Sequence, residues 1–162
     1  MAIEFKDKSQ VLTSLQSNLS EKKNQISNYE DQGVFELAYL IKWQIVEETV
    51  KEIAIIQRRD NLLKSLKLWI DYLEDAESKK PKDIKNFNLD SKTLPQTDLI
   101  KNFFEGHEIS SLVDILDSDK KYRRRRNDIS HRFDTYFSEK TYSEYSSKLD
   151  EAIKELCNAL NS

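Results

Sequence analysis

Residues 34–59 read VFELAYLIKWQIVEETVKEIAIIQRR. Leu37, Leu40, Ile41, Ile45, Val50, Ile53 and Ile56 recur close to intervals of three and four, the spacing that stacks side chains along a helix. They cover much of the circumference. A helix that is apolar nearly all round belongs inside a bundle, not on its surface. The spacing predicts a central helix from Val34 to about Arg59. On its N-terminal side, Gly33 ends an earlier helix, about Phe5 to Asp31, whose stripe is Phe5, Leu12, Leu15, Leu19, Ile26 and Tyr29. On its C-terminal side, Leu62, Leu66, Trp69 and Leu73 carry the period on to about Glu74. The pattern leaves open whether this is a separate helix or an extension past Asp60 and Asn61.

Further out the punctuation changes. The stretch 77–96 holds both prolines, Pro81 and Pro95, among Lys, Asn and Asp residues, and reads as a surface loop inside one domain. Thr97 is placed to N-cap a short helix through Phe104, with Gly106 closing it. Leu112, Val113, Ile115 and Leu116 mark a second short apolar piece. From about Glu139 to Leu160 the residues Tyr142, Tyr145, Leu149, Ile153, Leu156 and Leu160 form one stripe, and Thr141 with Glu144 suggests a capping box. Only two glycines and two prolines occur in 162 residues, too few to turn a sheet, so the expected fold is all-α: one domain, residues 1–162, a bundle of four to six helices. At 38% hydrophobic residues the core is thin, as a helical bundle's is.

The same composition excludes several functions. No apolar run approaches the roughly 20 residues that span a bilayer, so no membrane partner is expected. MAIEFKDKSQ has no signal-peptide core, and a cytoplasmic location is expected. Cys157 is the only cysteine, so no intrachain disulfide can form, and it reads as a core or boundary residue. The two glycines, Gly33 and Gly106, are too few for a phosphate-binding glycine loop. No H-x3-H, HExxH or CxxC spacing occurs, and no metal or cofactor is expected. Trp43, Trp69, Tyr142 and Tyr145 sit at core-like helical spacings and read as packing residues. His107, after Gly106, reads as a histidine near a helix C-terminus.

Net charge is −3, yet Lys120, Lys121, Arg123, Arg124, Arg125 and Arg126 place six cations within seven residues. Such a stripe on a mildly acidic body is a local address for phosphate. It runs into RRRRNDISHRF, residues 123–133. At about 100° per residue on a helix, Tyr122, Ile129 and Phe133 share a narrow, buried arc. Arg124, Asn127 and His131 line a face roughly opposite, and Arg126 lies between the two. A histidine can move a proton near neutral pH, and an arginine can clamp a phosphate and neutralise charge developing on it. An asparagine can orient either partner. These three residue types so close together suit phosphodiester cleavage.

Arg126-Asn127-Asp128-Ile129-Ser130-His131 resembles the R-x4-6-H motif of the HEPN superfamily, in the form where a polar residue follows the arginine. The layout is also similar. The motif comes late in an all-helical chain, follows a short apolar segment and precedes one more amphipathic helix. Arg132 stands where many relatives carry glycine. Arg126 gives the x4 spacing; Arg125 and Arg124 would give x5 and x6, and the register among them stays open. The resemblance implies a metal-independent endoribonuclease, a toxin or antiviral defence effector. In it the ribose 2′-OH attacks phosphorus, with catalytic Arg126, Asn127 and His131. It implies RNA contacts from Lys120, Lys121, Arg123, Arg124, Arg125 and Arg132. It implies a homodimer with a composite site, and as a further partner a cognate antitoxin such as a minimal nucleotidyltransferase. The competing expectation is a HEPN-like module that binds RNA, nucleotide or a protein without cleaving.

Overall fold

The computed structural model describes residues 5–75, 77–84, 89, 92–131 and 135–162. Among them are six helices and no strand. Helix α1, Lys8–Asp31, starts at a reciprocal capping box: the Asp7 carboxylate accepts from the Gln10 N–H, and the Gln10 side chain accepts from the Asp7 N–H, each at 2.8 Å. Gly33, at φ 71°, lets the chain reverse. Helix α2, Phe35–Glu74, then runs 40 residues without a break, about 60 Å at the usual rise. Asp60 and Asn61 therefore lie inside one continuous helix.

The two halves of α2 differ. From Ala38 to Ile56 it is the centre of the core, with Tyr39, Trp43, Ile45, Val46, Val50 and Ile53 almost wholly buried. Beyond Arg59 the apolar stripe is largely uncovered, and Leu63, Leu66, Leu68, Ile70 and Leu73 are exposed. Among the described residues the flank at Trp69 has a cover, where the indole N–H donates to the Lys82 carbonyl at 3.1 Å and the Lys80 ammonium lies over the ring.

Short helices α3, Thr97–Phe103, and α4, Ser110–Leu116, follow. Gln96 occupies the α3 N-cap position without a side-chain bond, so Thr97 is the first helical residue and not the cap. Gly106, at φ 84°, turns the chain after α3. Helix α5 spans Lys121–His131 and α6 spans Glu139–Leu160. Ser138, in extended backbone geometry, caps α6 by accepting from the Thr141 N–H. The cap is thus Ser138, and Thr141 contributes its backbone, which corrects the box expected from Thr141 and Glu144.

Helices α1 and α2 pair antiparallel, with Asn18 meeting Glu48 and, just before α1, Lys6 meeting Glu52. Helix α6 lies across both. At that junction Lys42, buried on α2, donates to Ser146 at 2.6 Å and Asp150 at 2.9 Å, with Glu30 of α1 at 3.6 Å. One ammonium thus joins three helices, and burial is tolerable because its protons are occupied. Helix α4 is fixed on α6 by Glu155, which accepts from the N–H groups of Ser111 and Leu112. No helix among the described residues is long and apolar enough to cross a membrane.

Candidate functional site

Helix α5 is an unusual element: 11 residues, four of them arginine, with Ile129 its one buried residue. Its own propensity would not hold it, since isolated helices this short are marginal. Neighbours hold it instead. Tyr39 of α2 donates its hydroxyl to the Tyr122 carbonyl at 2.9 Å, and Tyr122 packs edge-on to Tyr145 of α6. Burial pushes the Tyr39 phenol well above its ordinary value, so it stays a donor.

The cations of the stripe part company. Tyr122 and Ile129 mark the core arc, as expected; Phe133 lies outside the described residues. Arg125 and Arg126 fall on opposite flanks of that arc, each about 40–60° from Ile129. Arg125 turns toward α6, its guanidinium 5.0 Å from the ring centre of Phe137 and 5.2 Å from that of Tyr145. Arg126 turns toward α2 and meets Glu47 at 2.6 Å. Arg123 donates back to the Leu116 carbonyl at 3.0 Å, closing the end of α4. Lys121 is paired with Glu144 of α6, a bond that raises the lysine's pKa. Arg124 is exposed and donates one N–H to the Asp119 carbonyl at 3.3 Å. Lys120 is exposed. Arg132 lies outside the described residues.

The three motif residues are placed as follows. Asn127 and His131 are both exposed, one turn apart on the face they share with Arg124. Among the described residues His131 makes no hydrogen bond or ion pair. Arg126 reaches its neighbour, Nη1 to the Asn127 Oδ1 at 3.1 Å, but its direction differs from that of His131 by about 140° around the helix. Within one chain, then, Arg124, Asn127 and His131 form one ridge, and Arg126 looks into a different space. That space is a cleft of about 360 Å³ lined by Gln44, Glu47, Lys51, Arg126 and Ser130. In it one carboxylate serves two cations: Glu47 Oε1 is 2.8 Å from Lys51 and Oε2 is 2.6 Å from Arg126. Burial alone would push the Glu47 carboxyl up; the bond from Lys51 and the charge of Arg126 outweigh it and hold the group below its ordinary value.

A second cleft of about 490 Å³ opens along Lys121, Arg124 and Arg125, bounded by Tyr136. A third, about 300 Å³, lies between the start of α4 and the end of α6, near His107. His107 meets the Ser162 hydroxyl at 3.1 Å and stands away from α5. Among the described residues no three His, Cys, Asp or Glu side chains stand close enough to share a metal ion. Cys157 is half-buried, and burial pushes its thiol up.

Sequence reading alone missed Glu47, Lys51 and Tyr136. Glu47 and Lys51 did leave a trace, as an acid and a base four apart inside an otherwise apolar run. No protein-family model, curated protein or solved structure matches this chain.

Proposed function

We propose that this protein is a HEPN-type endoribonuclease that works without a metal ion. The observation that carries the reading is the exposed ridge of α5, where Asn127 and His131 stand in solvent beside the Arg124 guanidinium. His131, with no hydrogen-bond partner among the described residues, does nothing there for stability and is open to a substrate beside a phosphate-binding cation. In the proposed reaction the 2′-OH oxygen bonds to the adjacent phosphorus as the bond to the 5′ oxygen breaks. The products are a 2′,3′-cyclic phosphate and a 5′-OH. His131 moves the proton, and an arginine neutralises the charge building at phosphorus.

Because Arg126 and His131 diverge on α5, a site using both draws them from two copies, so the reading includes a homodimer. Arg126 acts once a phosphate displaces Glu47; Arg124 already shares the His131 face. The biological reading is a cytoplasmic toxin or defence effector held in check by a cognate antitoxin. The deciding experiment incubates wild type, Arg126→Ala, Arg124→Ala and His131→Ala with total bacterial RNA in EDTA and analyses the new ends. Cyclic phosphate ends from wild type, lost in His131→Ala and in one arginine variant, support the mechanism. Cutting that survives His131→Ala overturns it.

One observation favours a second reading, a binding module. Among the described residues five of the six cations already have internal partners: Lys121, Arg123, Arg124, Arg125 and Arg126. A chain that binds RNA with strong salt dependence but leaves it intact is that module.

A further inference from the structure

Beside the proposed catalytic ridge, α5 borders the cleft formed with Tyr136 and Tyr145. From α5 the lining residues are Lys121, Arg124, Arg125 and Asp128, which follow one another around the helix over about 100°. The arc begins at Arg124, only about 20° from His131, so cleft and ridge are continuous. Three of the four are cations. Opposite them stands Tyr136, 74% exposed.

That exposure is out of pattern. Tyr39, Tyr122, Phe137, Tyr142 and Tyr145 all lock into one cluster of ring contacts, and Tyr136 joins none of them. Next to it, Phe137 is 7% exposed and its N–H donates to Glu36 at 2.6 Å. The chain is therefore pinned at Phe137, while the preceding ring stands exposed at the cleft mouth. A flat ring at the edge of a cationic groove is the pairing that single-stranded nucleic acid requires. The cations take the phosphate, and the ring takes the face of a base. A duplex offers no free base face.

We propose that this cleft is a nucleotide subsite for single-stranded RNA next to the scissile phosphate. Tyr136 is its base-stacking platform and Arg124 its phosphate contact. Arg124 suits the role because its one bond among the described residues, to the Asp119 carbonyl, leaves further N–H groups for a phosphate. The subsite rests on the ribonuclease reading for its substrate class, and its test separates the two. The probe is a fluorescent single-stranded 2′-O-methyl oligoribonucleotide, which cannot be cut through a 2′-OH, and its duplex serves as control.

By anisotropy, Tyr136→Ala is expected to weaken the single strand about tenfold and leave the duplex unchanged, because one stacked base is lost. Tyr136→Trp restores binding. Arg124→Ala lowers the salt dependence by about one phosphate contact. Equal binding by wild type and Tyr136→Ala overturns the subsite even if RNA is cut. Tyr136-dependent binding with no cleavage supports the subsite and removes the catalysis. A wild type that binds no RNA removes both.

Discussion

Glu47 holds Arg126 at 2.6 Å and Lys51 at 2.8 Å, one oxygen to each. A carboxylate between two cations stands where a phosphate oxygen pair would. Glu47→Gln removes the charge and keeps the shape. It is expected to raise affinity for single-stranded RNA about three- to tenfold, by freeing both cations. Titration at two salt concentrations checks this, and affinity unchanged or weakened means that the pair only holds α5 to α2.

The same carboxyl sets a pH dependence. Its pKa in the folded protein lies below its ordinary 4.5, so the folded state favours the ionised form. Its stabilising contribution is full above that ordinary value and is lost as pH falls through the lowered folded value. The stability difference between wild type and Glu47→Gln is therefore expected to be flat from pH 7 to about pH 5 and to shrink below about pH 4.5. Denaturant melts across this range measure it. A difference that grows on acidification contradicts the assignment.

Lys42 holds three helices with one ammonium. Lys42→Ala removes the cation and its packed stem, leaving Glu30 and Asp150 facing each other. A loss of about 1–3 kcal/mol is expected, because the buried stem and its hydrogen bonds go while Asp150 and Glu30 keep contact with solvent. Lys42→Met keeps the stem and should lose less. If both lose under about 0.5 kcal/mol in urea unfolding, the junction is held by apolar packing alone.

Tyr39 anchors α5 through a single hydroxyl. Tyr39→Phe leaves the Tyr122 carbonyl without that donor and is expected to cost about 1 kcal/mol. Hydrogen exchange should show the loss as faster opening of α5, with α1 and α6 unchanged. Uniform acceleration in all helices would mean that the bond supports the whole core.

His131 is exposed and makes no bond among the described residues, so His131→Ala is expected to leave the melting temperature within about 1 °C of wild type. RNA cutting should fall at least about a hundredfold, the scale of losing a general acid or base. A large drop in melting temperature would make the histidine a structural residue.

Elements whose own side chains decide their burial were readable from the sequence. The stripe from Tyr142 to Leu160 located α6 at its observed ends, and the run from Leu40 to Ile56 located the core of α2. The outward position of Arg124, Asn127 and His131 followed from periodicity alone. What stayed hidden depended on distant chain. Leu66 and Leu73 carry a good helical stripe, but whether a stripe is covered depends on where the loop after Glu74 runs. The fates of Arg125 and Arg126 were equally hidden. They are neighbours in sequence, yet one meets a carboxylate 79 residues earlier and the other two rings at Phe137 and Tyr145. Periodicity gives a side chain's direction and not the partner waiting there. The α6 cap shows the local version: Ser138 and Thr141 both suit an N-cap, and backbone geometry chose between them.

The clamps on α5 have a temporal consequence. Tyr145, Glu144 and Phe137 all lie after it in the chain, so a ribosome delivers the arginine-rich segment before the residues that shape it. Until α6 emerges, that segment has only the contacts from α2 and α4 to fold against. A chain cut short before residue 139 would carry every motif residue and still lack the clamps from α6. Synthesis itself would thus leave the arginine ridge unshaped until α6 has emerged.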